Sequence, residues 1–388
     1  MRKNAKRLAS LDLLRGADIF FLTVVCILVD SFHRVWPLPD ALMRQLGHPS
    51  WVGFTVLDMV MPLFIFMCGA ALPLALPRRL EPDGTARWRY WRHVLGRVAL
   101  LWILGMVAQG ELMSFDLGRI SFFNNTLQTI ACGYLISAAV MRLKSHVARV
   151  ALAFALAIGY SVFLHACGDM SPAGNAAVVY EVKFLTLFYP DASWHPVSQI
   201  SSWHYTWWTT VPMFGFMALA GAQATEIVKG ALAPYRKVLA LGGVGIALLA
   251  RGGIFSTFEP VIKHIFTASF TFLAMGVSYL LYALFYWVFD ILGVRRGTGL
   301  IALFGRHSLL AYMCIETTCR SVLWVAAAVV LGGTDRRIGH GLTRFFEGPA
   351  AGLCMNIAIV TILCIVLACW ERWQNLNAER RRGDGDRT

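Results

Sequence analysis

The sequence has few charged residues and no stretch in which polar and apolar side chains alternate as they do in membrane β-barrel strands. Only 15% of its 388 residues are charged, whereas 57% are hydrophobic, and the mean hydropathy is +0.59. The lack of alternation argues against a barrel. The long apolar runs instead predict an all-α, polytopic transmembrane helical bundle, because a helix satisfies its own backbone hydrogen bonds in lipid.

The sequence also lacks the residue spacings that hold metals, disulfide frameworks or nucleotides. His195 and His204 are not spaced as metal ligands on a helix, and no P-loop, Gly-x-Gly-x-x-Gly or His-Glu-x-x-His motif occurs. We therefore expect no metal. The nine cysteines are scattered, as is typical of buried free thiols. Six of them lie within apolar runs: Cys26, Cys68, Cys132, Cys314, Cys364 and Cys369.

The apolar runs predict about ten membrane helices in one integral-membrane domain, residues 1–388, because no linker, low-complexity tract or repeat is visible. The last residues, 372–388, read as a basic cytoplasmic tail. Arg306, His307 and Glu316 punctuate the ninth run and predict a late start or a break there. The predicted spans are 17–35, 54–76, 93–113, 124–142, 147–166, 206–224, 238–255, 267–289, 303–331 and 350–371.

The net charge of +13 is distributed as membrane topology requires, so we expect no nucleic-acid partner. With both termini cytoplasmic, 23 of the 35 Lys and Arg residues fall on the inner side and 8 on the outer side. This asymmetry predicts the orientation of a multi-pass chain, with both termini on the cytoplasmic side of the membrane. It also places His48 and the aromatic-rich loop 167–205 outside, where tryptophan and tyrosine serve as interfacial anchors or as a sugar-stacking surface.

The stretch HPSWVGFTVLDMVMPLFIFMCG, residues 48–69, carries the strongest candidate for chemistry. Asp58 lies inside an apolar run, where a carboxylate is costly unless it faces a cavity or a partner. His48 lies just before that run, and a histidine there can act as a base or as a nucleophile. The alternative interpretation is a polar residue at a membrane boundary.

Asp30 lies at the other end of the same predicted outer loop as His48, and a carboxylate beside an imidazole orients the ring. We therefore predict Asp30 as a second catalytic residue, with an Asp30–Arg34 ion pair as the alternative. Arg15, three residues after Asp12, can form an ion pair with it or meet a phosphorylated ligand at the inner face.

Further polar side chains flank the predicted helices on the outer side. Asn125 and Gln128 share one helix face and could bind a polar ligand, or instead cap the helix. Glu259 and Lys263 can pair if their stretch is helical. The candidate substrate contacts are Trp51, Asn124, Asn125, Gln128 and His264.

Five stretches, in this order, resemble the heparan-alpha-glucosaminide N-acetyltransferase family and its bacterial NagX-type relatives: SLDLLRGADIFF, HPSWVGFTVLDMVMPLFIFMCG, NNTLQTIACGYL, VIKHIFTASFTFLAMG and FGRHSLLAY. The His-x-x-Trp-x-Gly-x-Thr-x-x-Asp block is the most specific of these motifs. The resemblance implies transfer of acetyl from cytosolic acetyl-CoA to a sugar amine across the membrane, with His48 as the catalytic histidine and Asp58 as the acid of the motif. It also implies a homodimer.

The sequence departs from that family at two positions. Asp30 stands where the family commonly has an asparagine, and Thr129 stands where relatives often have an arginine. An aspartate would orient or accept a proton, whereas an asparagine would donate to an oxyanion.

The expected reaction is acetyl transfer with acetyl-CoA as co-substrate, and His48 is either the base or an acetyl relay. The anionic phosphates of acetyl-CoA should meet arginines at the inner side, for which Arg15, Arg97 and Arg306 are the candidates. Arg97 and Arg306 could instead snorkel to the interface. Two other functions remain open. One is O-acetylation of an envelope glycan, and the other is sugar transport without covalent chemistry.

Overall fold

A computed structural model describes residues 8–75, 84–108, 123, 125–188, 208–315, 317–337 and 350–385. Within these ranges the chain is helical, and the backbone forms only one isolated antiparallel bridge, between Val52 and Ile262. The all-α prediction is therefore confirmed. The chain divides into two compact units. The first holds the described residues of 1–11 and 47–294, and the second holds those of 12–46 and 295–388.

The first unit contains eight of the helices that we number along the chain. Short 3-10 turns, Leu57–Met59 and Trp208–Thr210, precede the helices that begin at Val60 and Val211, and a π-helical stretch, Tyr286–Ile291, follows the helix that ends at Phe285. The helices are α4 (Val60–Ala75), α5 (Gly84–Ala108), α6 (Thr126–Val140), α7 (His146–Cys167), α8 (Ala176–Phe188), α9 (Val211–Lys229), α10 (Pro234–Phe255) and α11 (Ala268–Phe285).

The second unit is built from five short helices and two long ones. A π-helical stretch, Phe21–Val25, joins the first two helices, so helical backbone runs from Ala9 to Val35. Leu323, Ala327 and Ile359 form a buried cluster between the helices Thr317–Arg337 and Ala350–Gly385. The helices are α1 (Ala9–Phe20, of which residues 9–11 fall in the first unit), α2 (Cys26–Val35), α3 (Asp40–Gln45), α12 (Gly299–Arg306), α13 (Ser308–Ile315), α14 (Thr317–Arg337) and α15 (Ala350–Gly385).

Seven helical segments of the described chain are long and apolar enough to cross a membrane, so this is a multi-pass membrane protein. Each falls on a predicted span, and the exact number of crossings stays a prediction. The seven are Leu57–Ala75, Trp88–Ala108, His146–Cys167, Trp208–Lys229, Pro234–Phe255, Ala268–Ile291 and Ala350–Arg380.

The three remaining predicted spans are helical but less regular. Span 17–35 contains the π-helical stretch, and span 124–142 corresponds to the short α6. The ninth run is broken at His307, between α12 and α13, which confirms the predicted interruption. The predicted tail, residues 372–388, continues α15 as far as Gly385, and residues beyond 385 lie outside the described range.

The core of the first unit is the close crossing of α4 and α9. A Cβ atom at Gly69 would overlap the backbone of Ala218, and one at Gly221 would overlap the backbone of Phe66. Small residues at such a crossing let two membrane helices approach closely enough for backbone contact. This crossing holds α4 in place, and the carboxylate of Asp58 lies in the turn that begins that span.

Candidate active site

His48 lies in the loop between α3 and the 3-10 turn Leu57–Met59, and its imidazole is bonded to a carboxylate. His48 Nδ1 is 2.7 Å from Asp58 Oδ1. The Asp58 side chain has no solvent exposure, whereas the His48 side chain is 46% exposed. The pair therefore joins a fully buried acid to a ring that a substrate can reach.

The second carboxylate oxygen of Asp58 is held by Thr55. The Thr55 backbone N–H donates to Asp58 Oδ2 at 3.0 Å, and the Thr55 hydroxyl lies at the same distance. That hydroxyl is also 2.9 Å from the carbonyl of Gly47, so its one proton has two acceptors. With both oxygens engaged, Asp58 accepts a proton donated by His48 Nδ1. This fixes the tautomer that leaves the lone pair on Nε2.

Gly53 allows this loop to turn back on itself. Its φ of +151° is a conformation that side chains rarely adopt, and a Cβ there would lie 2.8 Å from Pro49 Cγ. The Gly53 N–H donates to the carbonyl of Val261 at 2.9 Å, next to the bridge between Val52 and Ile262. The glycine of the motif thus ties the His48 loop to a second loop, residues 256–267.

The second loop brings a cation to the pair. Lys263 Nζ is 3.3 Å from Asp58 Oδ1 and 3.1 Å from both ring nitrogens of His48. The lysine side chain is only 11% exposed. Burial lowers the pKa of Lys263, because the charged form is poorly solvated, and the nearby Asp58 carboxylate partly offsets this.

Glu259 anchors the second loop. This buried carboxylate accepts hydrogen bonds from the Ser161 hydroxyl of α7 and from the Ala268 N–H at the start of α11. The Tyr160 hydroxyl donates to the carbonyl of Ile265 at 2.8 Å. The stretch is a turn and not a helix, so the Glu259–Lys263 pair expected for helical spacing is not formed. Glu259 bonds to Ser161 and Ala268, whereas Lys263 contacts Asp58 and His48.

Trp51 and His264 form a stacked pair in the same unit. Their ring centroids are 5.5 Å apart with an interplanar angle of 13°. Trp51 Nε1 donates to the carbonyl of Met170 at 2.7 Å. Burial lowers the pKa of His264, and the positive charges of Lys263 and His48 lower it further. The structure therefore brings together two of the predicted substrate contacts, next to the charged groups of the site.

The predicted contacts Asn125 and Gln128 lie at the start of α6, and substrate binding by them stays a prediction. Asn125 is the N-cap of α6, and its side-chain oxygen accepts the Leu127 N–H at 2.7 Å. Gln128 is buried on the same helix. Neither shares a hydrogen bond with His48, whose partners are Asp58 and Lys263. Asn124 and the part of the aromatic loop from 189 to 207 lie outside the described residues.

Asp30 belongs to the second unit, where it forms the ion pair that was the alternative to a catalytic role. Its carboxylate is 2.8 Å from Arg34 one helical turn away, and both side chains are more than half exposed. The carboxylate hydrogen-bonded to His48 is therefore Asp58. A catalytic part for Asp30 stays a prediction.

The three predicted cofactor arginines each have a partner within the chain. Arg15 is 3.9 Å from Asp12, and Arg306 is 2.8 Å from Glu371. The guanidinium of Arg97 lies 4.8 Å from the centre of the Tyr134 ring. Arg97 and Arg306 are exposed residues. Binding of acetyl-CoA phosphates by these residues stays a prediction.

Part of the chain matches a protein family whose activity is not described. Residues 7–191 match the family described as a domain of unknown function (DUF5009). The match includes His48, Trp51 and Asp58 but ends before the loop that carries Lys263 and His264. No curated protein matches the chain. Over these residues the chain is similar to that family.

Lys263 is the residue of this site to which the sequence assigned no role in the chemistry. It is 215 positions away from His48, so no local spacing rule connects the two. The only local signal is a lone lysine within the apolar segment VIKHIF, next to His264. In the described part of the chain, no group of three or more His, Cys, Asp or Glu residues could hold a metal ion.

Proposed function

We propose that this chain is a membrane-embedded acetyltransferase. It takes the acetyl group of cytosolic acetyl-CoA and passes it to the amine of a glucosamine-type sugar on the periplasmic side of the bacterial inner membrane. The observation that carries the proposal is the hydrogen bond between the exposed His48 and the fully buried Asp58. The motif that contains both residues also carries the resemblance to the heparan-alpha-glucosaminide N-acetyltransferase family.

The pair supplies what attack on a thioester requires. An amine that attacks an acetyl carbonyl must lose a proton near neutral pH, and a histidine held by a carboxylate is suited to accept it. Asp58 orients the ring and stabilises the imidazolium that forms, so Nε2 is the reacting atom. In this scheme Nε2 either removes the proton of the amine or accepts the acetyl group itself as a relay.

The stacked rings of Trp51 and His264 fit an acceptor sugar. Both side chains are partly exposed, and the pair lies beside the charged groups that surround His48. Aromatic faces pack against the apolar faces of sugar rings. We propose that this pair holds the acceptor while its amine faces Nε2.

The membrane topology in this proposal is the one that the distribution of Lys and Arg residues predicts. Both termini are cytoplasmic, and His48 lies outside. Arg15, Arg97 and Arg306 are the proposed contacts for the phosphates of acetyl-CoA, and the functional unit is proposed to be a homodimer surrounded by membrane lipid. These assignments rest on the sequence.

The test is acetyl transfer by detergent-purified protein. Wild type should acetylate glucosamine with radiolabelled acetyl-CoA, and His48→Ala should bind CoA but transfer at the background rate. His146→Ala is the matched control, because His146 is an exposed histidine at the start of α7. Transfer by His48→Ala at the wild-type rate would show that His48 is an interfacial histidine only.

A second candidate is O-acetylation of an envelope glycan, which the same pair favours. A free amine can attack the acetyl group directly, whereas a hydroxyl must first lose its proton to a base. A histidine supported by a carboxylate therefore accelerates attack by a hydroxyl more than attack by an amine. Offering N-acetylated sugars beside free amino sugars separates the two activities. If only the N-acetylated sugars are acetylated, the acceptor group is a hydroxyl and not an amine. Uptake of sugar without turnover of acetyl-CoA would instead support a transporter.

A further inference from the structure

Lys263 lies against the imidazole of His48, which is where a reacting acyl group would develop negative charge. We propose that Lys263 is a catalytic residue of the acetyl transfer, and that its ammonium donates a hydrogen bond to the oxyanion of the tetrahedral intermediate. This inference rests on the proposed function and adds to it a group from a different loop, far away in the sequence.

The position of the ammonium leaves the reacting lone pair of His48 accessible. Lys263 Nζ is 3.1 Å from Nδ1 and 3.1 Å from Nε2, so it does not lie on the axis of either lone pair. The Nε2 lone pair points away from the ring and away from the plane that is equidistant from the two nitrogens. Lys263 can therefore remain in place while a substrate approaches Nε2.

The ammonium also keeps hydrogen-bond donors for a ligand. It has three N–H groups. One is directed to Asp58 Oδ1 at 3.3 Å, and at most one more can be directed to the ring. Within the described residues Lys263 makes no further hydrogen bond. At least one N–H is thus left for an acyl oxygen.

The distances suit an oxyanion contact. A carbonyl carbon in position for attack lies about 3 to 3.5 Å from the nucleophile, and its oxygen is one bond further away. The Lys263 ammonium is 3.1 Å from Nε2. An acyl group that reacts beside Nε2 therefore lies next to this ammonium. Because the side chain is almost buried, a charge-assisted hydrogen bond there is weakly screened.

The chemical balance of the step requires no further reactant. A C–N bond forms between the acceptor nitrogen and the acetyl carbon, and the carbonyl electron pair moves to oxygen beside Lys263. His48 Nε2 takes the proton of the amine. Collapse of the intermediate breaks the C–S bond, and the leaving CoA thiolate receives that proton. Lys263 remains protonated throughout. If the acetyl group first enters Nε2, a bond forms between Nε2 and the acetyl carbon, the C–S bond breaks and CoA leaves as the thiolate. The amine then attacks the acetyl carbon, the bond to Nε2 breaks, and Nε2 takes the proton of the amine and returns it to the thiolate. The acyl oxygen carries negative charge beside Lys263 in both steps.

Asp58, His48 and His264 are the titratable neighbours of Lys263. The Asp58 carboxylate supports the ammonium, whereas burial opposes it. Burial lowers the pKa of Lys263 below its ordinary value of 10.5. The active, protonated form is therefore present at lower pH and is lost as the pH rises through that lowered value. An arginine at this position keeps its charge across the range.

The experiment compares Lys263→Met and Lys263→Arg in steady-state transfer, with Lys183→Met as the control. Lys183 is an exposed lysine of α8. Removing one oxyanion donor costs roughly 10²- to 10³-fold in kcat. We expect a loss of that size for Lys263→Met with little change in KM for acetyl-CoA. Lys263→Arg should retain more of the activity and move the alkaline limb of kcat to higher pH, whereas Lys183→Met should match wild type.

Three outcomes overturn the inference while leaving the proposed function intact. They are an unchanged kcat in Lys263→Met, an effect confined to KM, and an arginine variant with the alkaline limb of wild type, each in a protein that still depends on His48. If both variants fail to fold, as judged by thermal unfolding, the wild-type profile decides. A kcat that is flat up to pH 10.5 contradicts the inference, and a limb below that value supports it. Absence of transfer by wild type would instead refute the proposed function.

Discussion

At the scale of single residues, the account depends on which carboxylate serves His48. Asp58 is fully buried, 2.7 Å from Nδ1, and is held by both polar hydrogens of Thr55. Asp30 is exposed and bonded to Arg34. An acid that orients a catalytic imidazole must be fixed and poorly solvated, and only Asp58 meets both conditions.

The matched substitutions Asp58→Asn and Asp30→Asn test this assignment. An asparagine at position 58 would donate to Nδ1 and reverse the tautomer, so the transfer rate should fall by roughly 10²- to 10⁴-fold. Asp30→Asn should stay within about threefold of wild type, because exposed ion pairs contribute little. The measurement is kcat for glucosamine acetylation by both variants.

Because Asp58→Asn also removes the partner of Lys263, the unfolding temperature of each variant is measured alongside its activity. A folded Asp58→Asn that transfers normally, together with an inactive Asp30→Asn, would restore Asp30 as the catalytic acid.

The residue scale also shows where sequence reasoning ends. The motif that joins His48, Trp51 and Asp58 identified the region of the site. The bond from His48 to Asp58 spans an irregular loop, in which Gly53 has positive φ and a 3-10 turn leads into α4. No periodicity describes such a loop. Lys263 and His264 arrive from a second loop through a backbone bridge, and that pairing requires the three-dimensional structure.

At the scale of helices, apolar runs were sufficient to locate seven candidate spans, because burial in lipid demands length and hydrophobicity. The polar residues that punctuate the ninth run also indicated the break at His307. The π-helical stretches, Phe21–Val25 and Tyr286–Ile291, were not predicted, because the apolar runs continue through them. The Glu259–Lys263 pair was expected only if the stretch is helical, and the stretch is not helical. Glu259 instead accepts the Ala268 N–H of α11 and the Ser161 hydroxyl of α7.

Helix α8 provides a prediction about pH. Glu181 is buried there and accepts the Trp208 N–H at 2.9 Å, and burial raises its pKa from 4.5 to about 7. Between these two values the folded protein holds a proton that the unfolded chain has lost. Stability should therefore fall as the pH rises from 4.5 to 7 and should be level above that, with a total loss of at most about 3 kcal/mol.

Thermal unfolding in detergent between pH 5 and pH 8 measures this dependence. Glu181→Gln should reduce the slope and unfold at a higher temperature than wild type at pH 8, because it buries no charge. Thr186→Ala, an exposed position on the same helix, is the control. An unchanged slope in Glu181→Gln would mean that Glu181 is not the group responsible.

At the scale of the whole molecule, the orientation in the membrane is the next prediction. Cys167 is an exposed cysteine at the end of α7, on the side that the charge distribution places outside. A membrane-impermeant maleimide should label it in intact spheroplasts, and Cys167→Ser should abolish that label. Glu379→Cys in the Cys167→Ser background, exposed on the predicted cytoplasmic tail 372–388, should react only after permeabilisation. The reverse labelling pattern would invert the topology and place His48 inside.

The most direct measurement is transfer across a sealed membrane. Purified protein is reconstituted into liposomes with acetyl-CoA enclosed and labelled glucosamine outside. We predict that acetylated glucosamine appears outside while free CoA accumulates inside, and that liposomes with His48→Ala produce neither. Product that forms only when both substrates are on the same face would contradict transfer across the membrane, and product formed by His48→Ala would contradict the role of the histidine.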